Sequence, residues 1–115
     1  MMITIKRIYE KPLENDGYRI LIDKFWPRGL SKEKANIDLW LKEVAPSNEL
    51  RKWFSHDPKK WNDFKNKYEL ELSNNLENTK KIKEIEKEEK TITLLYSAKD
   101  TVHNNAIVLR EFLKK

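Results

Sequence analysis

The side chains with which this chain of 115 residues could do chemistry are few, and they fall in short runs. Asp23-Lys24-Phe25-Trp26-Pro27-Arg28-Gly29 sets a carboxylate, an indole and a guanidinium within one stretch that Pro and Gly keep out of regular structure. Asp23 there is either a proton-moving group or a plain turn carboxylate. The Arg28 fork suits a carboxylate or phosphate, or a surface pair with Asp23, and Trp26 could cover a ligand by stacking. Ser55-His56-Asp57-Pro58 places an imidazole beside a carboxylate, the arrangement of a general acid or base. The competing role for Asp57 is to cap the next helix, with His56 filling the corner. Lys99 and Asp100 stand before a helix, Lys99 offered to an anion and Asp100 serving either as proton carrier or as N-cap. The candidates are therefore Asp23, His56 and Asp100 for catalysis, and Trp26, Arg28, Ser47, Arg51, Tyr96, Lys99 and Asn104 for binding.

Composition narrows the chemistry further. With no Cys there is no disulfide framework, thiol nucleophile, zinc finger or iron–sulfur cluster. Two Gly, Gly17 and Gly29, cannot build a glycine-rich phosphate loop, and the two His, His56 and His103, are too far apart for an HExxH metal helix. No metal or cofactor is expected. The formal net charge is +5, and +4 of it lies in residues 1–60, where 13 Lys and Arg face 9 Asp and Glu. That excess permits an anionic partner, but interspersed acids and bases also describe an ordinary solvated surface.

The elements that must hold these residues alternate between two periods. Residues 2–9 alternate apolar and polar like a half-buried strand, and Asn15-Asp16-Gly17 signals a turn into a second strand, Tyr18–Asp23. Ser31 caps a short helix, and residues 37–44 read as a third strand. Ser47 caps a helix carrying Leu50, Trp53 and Phe54. Asp57-Pro58 starts another, with Trp61, Phe64, Tyr68 and Leu72 as its apolar stripe, which makes Trp53 and Trp61 core residues. Residues 76–89 form a charged peripheral helix. Thr91–Ser97 is the clearest strand, apolar or β-branched at nearly every position, as in a strand covered on both faces. A final helix runs from about Thr101 to Lys114 with Val102, Ala106, Leu109 and Leu113 inward. The pattern predicts one α/β domain over 1–115, with a mostly parallel sheet of about four strands flanked by helices. In such sheets ligands sit beyond the carboxyl ends of the strands, which would bring Asp23, Arg28, Ser47, Lys99 and Asp100 together.

The same residues carry a resemblance. Asp23 to Gly29 is similar to the D-R-x-W-P-R-G motif of the YeaO-like family, a bacterial and archaeal domain of unknown function. Ala45-Pro46-Ser47, Leu50-Arg51-Lys52-Trp53-Phe54 and His56-Asp57-Pro58 resemble its central block, continued by Trp61, Phe64, Tyr68, Glu71 and Leu72. Thr93-Leu94-Leu95-Tyr96, Lys99-Asp100 and His103-Asn104 resemble its C-terminal signature. Nearly the whole chain is covered. The resemblance implies a small α/β fold and no assigned activity. Lys24 departs from the motif, keeping the charge of the usual Arg without its bidentate fork, which weakens position 24 as a planar anion clamp.

The function expected from these residues is binding or transformation of a small phosphate- or carboxylate-bearing molecule at the carboxyl edge of the sheet. A nucleic-acid-binding module using the basic first half is the alternative, provided Arg7, Arg19, Arg28 and Arg51 share one exposed face. A protein-interaction module is the third, favoured if the Trp cluster is exposed. No stretch is apolar enough to span a membrane, the N-terminus turns polar too early for a signal peptide, and a cytoplasmic location is expected.

Overall fold

The fold is built around its last strand. In the computed structural model, which describes residues 2–115, β1 (Met2–Arg7), β2 (Tyr18–Leu21), β3 (Leu39–Trp40) and β4 (Thr91–Tyr96) form one all-parallel sheet in the order β1-β4-β2-β3. The apolar run of β4 thus lies between β1 and β2, buried from Ile92 to Tyr96. A strand in that place has neighbours on both edges and layers on both faces, which only a run without polar alternation can satisfy. Five α-helices are found among the described residues: α1 (Lys32–Ala35), α2 (Asn48–Phe54), α3 (Trp61–Ser73), α4 (Leu76–Glu89) and α5 (Asn105–Leu113).

The pleat divides the side chains between two unequal cores. Ile3, Ile20, Ile22, Ile92, Leu94 and Tyr96 meet Phe54, Phe64, Tyr68, Leu72, Ile82 and Leu109 in the larger one, under α2 to α5. Leu21, Leu95, Ile8 and Ala35 form the smaller one on the other face, edged by Trp26, Leu30, Ile37 and Trp40. Each buried Leu or Ile contributes about 2 kcal/mol through removal of apolar surface from water.

The smaller face also holds a buried ion network. Arg19 is 2% exposed, and its guanidinium donates to Asp16 Oδ2 at 2.6 Å and to the carbonyls of Asn36 and Ala35 at 2.8 and 2.9 Å. Lys6 Nζ reaches the same carboxylate at 3.1 Å, and the Leu13 N–H donates to it at 2.9 Å. Burial pushes the Asp16 carboxyl up. The Leu13 N–H, Lys6 and Arg19 outweigh that and hold it below the ordinary carboxylate range. Next to it Gly17 takes φ 67°, and a Cβ there would lie 2.3 Å from the Thr91 carbonyl oxygen. Only glycine fits this close approach of two backbones.

Several elements differ from the sequence reading. Residues 37–44 give only the two-residue β3, because at the sheet edge β3 pairs just with Ile20 and Leu21; a 3-10 turn, Lys42–Val44, follows. The last helix starts at Asn105. Asp100 Oδ1 accepts the Val102 and His103 N–H groups at 2.9 Å and holds the chain in a turn, so the capping side chain is Asn104, accepting from Ile107 N–H. Val102 is consequently 62% exposed and not part of the inward stripe. Asp57-Pro58 opens a 3-10 turn, Pro58–Lys60, which leads into α3. Trp53 is exposed, with the ammonium groups of Lys60 and Lys67 over its ring, while Leu50 and Phe54 supply the buried face of α2. Among the described residues no helix is long and apolar enough to cross a membrane.

Candidate functional site

Loops that follow β1, β2 and β4 meet past the carboxyl ends of those strands, and Asp23 ties them. Its Oδ2 accepts the Ser97 N–H at 2.8 Å and the Ser97 hydroxyl at 2.7 Å, and its Oδ1 accepts from Asn105 Nδ2 at 3.0 Å. Its carbonyl takes the Trp40 indole N–H at 2.7 Å. Arg7 closes the other side, donating from Nε to Ala98 O and from Nη2 to Ser97 O, with its guanidinium 5.1 Å from the Tyr9 ring. The Tyr9 hydroxyl in turn donates to the carbonyl of Arg28. A chain of contacts thus runs from the Arg28 loop through Tyr9 and Arg7 to the loop carrying Lys99.

The other candidates take separate places. The side chains of Arg28 and Lys99 are exposed, and neither is in an ion pair among the described residues. Arg51 lies 4.8 Å over the exposed Phe25 ring. Trp26 packs edge-on against Trp40 at 5.5 Å and donates its indole N–H to Leu30 O. His56 is exposed at the corner between α2 and α3 with φ 57°, and Asp57 accepts from Lys59 N–H. Asp100 Oδ2 receives the His103 Nδ1–H at 2.9 Å, and the Trp61 ring stands edge-on to that imidazole at 5.3 Å. Hydrogen bonds from Val102 N–H and from the His103 ring and backbone hold the Asp100 carboxyl below its usual range. Asn104 is buried beneath, donating to Asp100 O, and burial pushes the Tyr96 phenol up.

Ser47 turns away from Asp23 towards α3. Its N–H donates to Glu71 Oε1 at 2.9 Å and its hydroxyl to Oε2 at 2.6 Å, while its oxygen caps α2 by accepting from Leu50 N–H. Beside this pair opens a groove of about 430 Å³, bordered by Lys24 after β2, by Lys42 and Ser47 after β3, and by Glu71 and Asn75 at the end of α3. The Tyr68 hydroxyl, buried deep beneath, donates to Val44 O at 2.7 Å and fixes the groove wall. Burial raises that phenol well above its ordinary range. Among the described residues no group of three His, Asp or Glu could hold a metal ion.

Residues 2–115 match the family model described as the inactive DUF488-N3 subclade, DUF488-N3i. The chain belongs to that family. It is 42% identical over 114 residues, 99% of its own length and 98% of the relative's, to "Uncharacterized protein YeaO" of Escherichia coli (strain K12). It is 40% identical over 70 residues to "Uncharacterized protein Rv3073c" of Mycobacterium tuberculosis (strain ATCC 25618 / H37Rv), covering 61% of this chain and 59% of that one. No solved structure matches the chain.

Within this DUF488-N3i fold, sequence reasoning missed Arg7, Lys42, His103 and Glu71 as site-forming groups. Glu71 carried a signal, standing in the family-like block seven residues after Phe64 and three after Tyr68, which turns a carboxylate onto the face of the apolar stripe. Arg7 and Lys42 carried none, because each looks like any surface cation until the loops meet. The four arginines weighed for nucleic acid do not share one exposed face: Arg19 is interior, and Arg7 is bound to loop carbonyls.

Proposed function

We propose that this DUF488-N3i chain binds a small carboxylate- or phosphate-bearing molecule at the carboxyl edge of its sheet, in the groove between Lys24 and Glu71. The observation that carries the reading is the groove itself: about 430 Å³, bordered by Lys24 and Lys42 as well as by Glu43 and Glu71, with no carboxylate within ion-pair distance of either lysine among the described residues. Pockets of this size with few convergent polar groups are the common form of small-molecule sites. Exposed Arg28, Arg51 and Lys99 around the same edge, with the +5 net charge, favour the approach of an anion.

Binding is favoured over transformation because two of the acid–base candidates have other work and the third, His56, is exposed at the α2–α3 corner and not on the groove border. Asp23 is used by Ser97 and Asn105, and Asp100 by the turn before α5. The word "inactive" in the family description agrees with this reading. Calorimetric titration with inorganic phosphate and with succinate at low ionic strength tests it. Millimolar or tighter binding that weakens at least tenfold in a Lys24→Met/Lys42→Met variant is expected; absence of heat and of any thermal shift with both probes refutes it. Binding of single-stranded nucleic acid is the second reading, favoured by the exposed Phe25 under Arg51 and Trp53 beside Lys60 and Lys67. Oligonucleotide binding lost in Phe25→Ala, with the lysine variant unaffected, would select it.

A further inference from the structure

The sheet has two edges, and they are finished differently. β3 closes one of them with only Leu39 and Trp40, too short to template another strand. β1 forms the other with six residues, holds no proline and pairs with β4 without a bulge. Both faces of β1 are covered within the chain. Ile3 and Ile5 pack into the larger core on the side of α5, while on the other face Lys6 is held by Asp16 and the Lys11 carbonyl. Arg7 is bound to the carbonyls of Ser97 and Ala98. Neither cation of the strand is free to guard the edge, although natural sheets blunt their edges with lysine, proline or a bulge.

The ladder decides which backbone groups this edge offers. Met2 N–H donates to Lys90 O and Ile8 N–H to Tyr96 O, so the even-numbered residues turn their N–H and C=O towards β4. Ile3, Ile5 and Arg7 turn theirs outward. Glu10 takes the Arg7 N–H at 2.9 Å, and the N–H groups of Ile3 and Ile5 have no acceptor among the described residues. Two outward residues spaced by one are what an antiparallel strand needs. We propose that β1 pairs antiparallel with β1 of a second copy of this chain, about a two-fold axis at Thr4, joining two four-stranded sheets into one. Ile3 stands opposite the partner's Ile5, and Ile5 opposite the partner's Ile3. Each such pair exchanges two backbone hydrogen bonds, which uses every N–H and C=O that these residues turn outward. Isoleucine then faces isoleucine on the helix side, a β-branched cross-strand contact. On the other side Met2, 58% exposed in the single chain, lies along the apolar stem of the partner's Lys6. The register that fits is one the strand makes with itself, and a two-fold pair is the commonest form of oligomer. The groove lies after β2 and β3, away from this edge, so the pairing stands independently of the small-anion reading.

Sedimentation velocity of the full chain over a concentration series, with amide hydrogen exchange read by NMR, tests the pairing. The mass is expected to rise from that of one chain to that of two. In the same series the Ile3 and Ile5 amides gain protection, while those of Thr4 and Lys6 are protected throughout. Ile5→Pro removes an outward donor and leaves the β4 ladder whole, as proline does on an edge, and should weaken association at least tenfold. Met2→Lys sets an ammonium opposite the partner's Lys6 and should weaken it about fivefold, whereas Met2→Glu should strengthen it by a similar factor. If Ile5→Pro does not fold by circular dichroism, the two Met2 variants decide, because Met2 is exposed. A single-chain mass up to about 1 mM, or a dimer indifferent to every folded variant, overturns the inference.

Discussion

Replacing Asp23 by Ala removes the acceptor of three hydrogen bonds, from Ser97 N–H, the Ser97 hydroxyl and Asn105 Nδ2. Hydrogen bonds to a charged acceptor contribute about 1.5–3 kcal/mol each when buried. Here Asp23, Ser97 and Asn105 are all half-buried, so water replaces part of what is lost. A net cost of about 2–4 kcal/mol is then reasonable for three bonds that share one carboxylate and are not additive. For a chain of this length, the usual unfolding entropy per residue converts 1 kcal/mol into a fall of about 4 °C in the thermal midpoint. Asp23→Ala should thus melt about 8–16 °C lower. Asp23→Asn should fall about half as far, because its carbonyl can still serve Ser97 and the Asn105 amide can reverse to accept. Thermal and urea melts followed by circular dichroism measure both, with an unchanged urea slope showing that the native and denatured states are otherwise the same. An Asp23→Ala midpoint within 2 °C of the parent (roughly 0.5 kcal/mol), together with lost ligand binding, would refute this reasoning and return Asp23 to the reacting groups.

Three further outcomes follow from the interior. Tyr68→Phe leaves the buried Val44 carbonyl without its donor and should cost about 1–3 kcal/mol, read from urea melts. Gly17→Ala combines φ 67° with a 2.3 Å approach to Thr91 O, so a loss of about 3 kcal/mol or more, or no soluble protein, is expected; a neutral effect would show that β4 can shift. The folded Asp16 carboxyl sits below its unfolded value, so the unfolded chain binds the extra proton, and the stabilisation is present above about pH 4 and is lost as pH falls through the folded value. Asp16→Asn should therefore be less stable than the parent at pH 7, with the gap narrowing below about pH 4. A gap that stays constant across that range would show that the charge of Asp16 does not contribute.

The order of elements was legible in the sequence because each carries its signal locally. Residues 76–89 form α4 and Thr91–Tyr96 form β4 where periodicity and β-branching place them, and Ser31 and Ser47 cap α1 and α2. Boundaries failed where a side chain competed with the helix for backbone donors. Asp100 looks like an N-cap by type, but its bonds to Val102 and His103 hold a turn, so Asn104 caps instead. The third strand was read over residues 37–44, and only its shortness was not legible, since its length is set by how much of β2 remains free to pair.

By itself the sequence determined the fold class, the family and the loops that gather at one edge of the sheet, because propensity, capping and apolar period act within a few residues. Tertiary structure alone decided how the polar side chains are used. Arg19 and Asp16 look like surface charges and form a buried pair, since β4 comes to lie beside β2 and α1 closes over them. Ser47 and Asp23, grouped by the rule for parallel sheets, part company when Glu71 arrives from α3 and Ser97 from the end of β4. Those partners lie 24 and 74 residues away along the chain, and no local pattern encodes a hydrogen bond over such a distance. It is fixed only when packing brings the strands and helices into register.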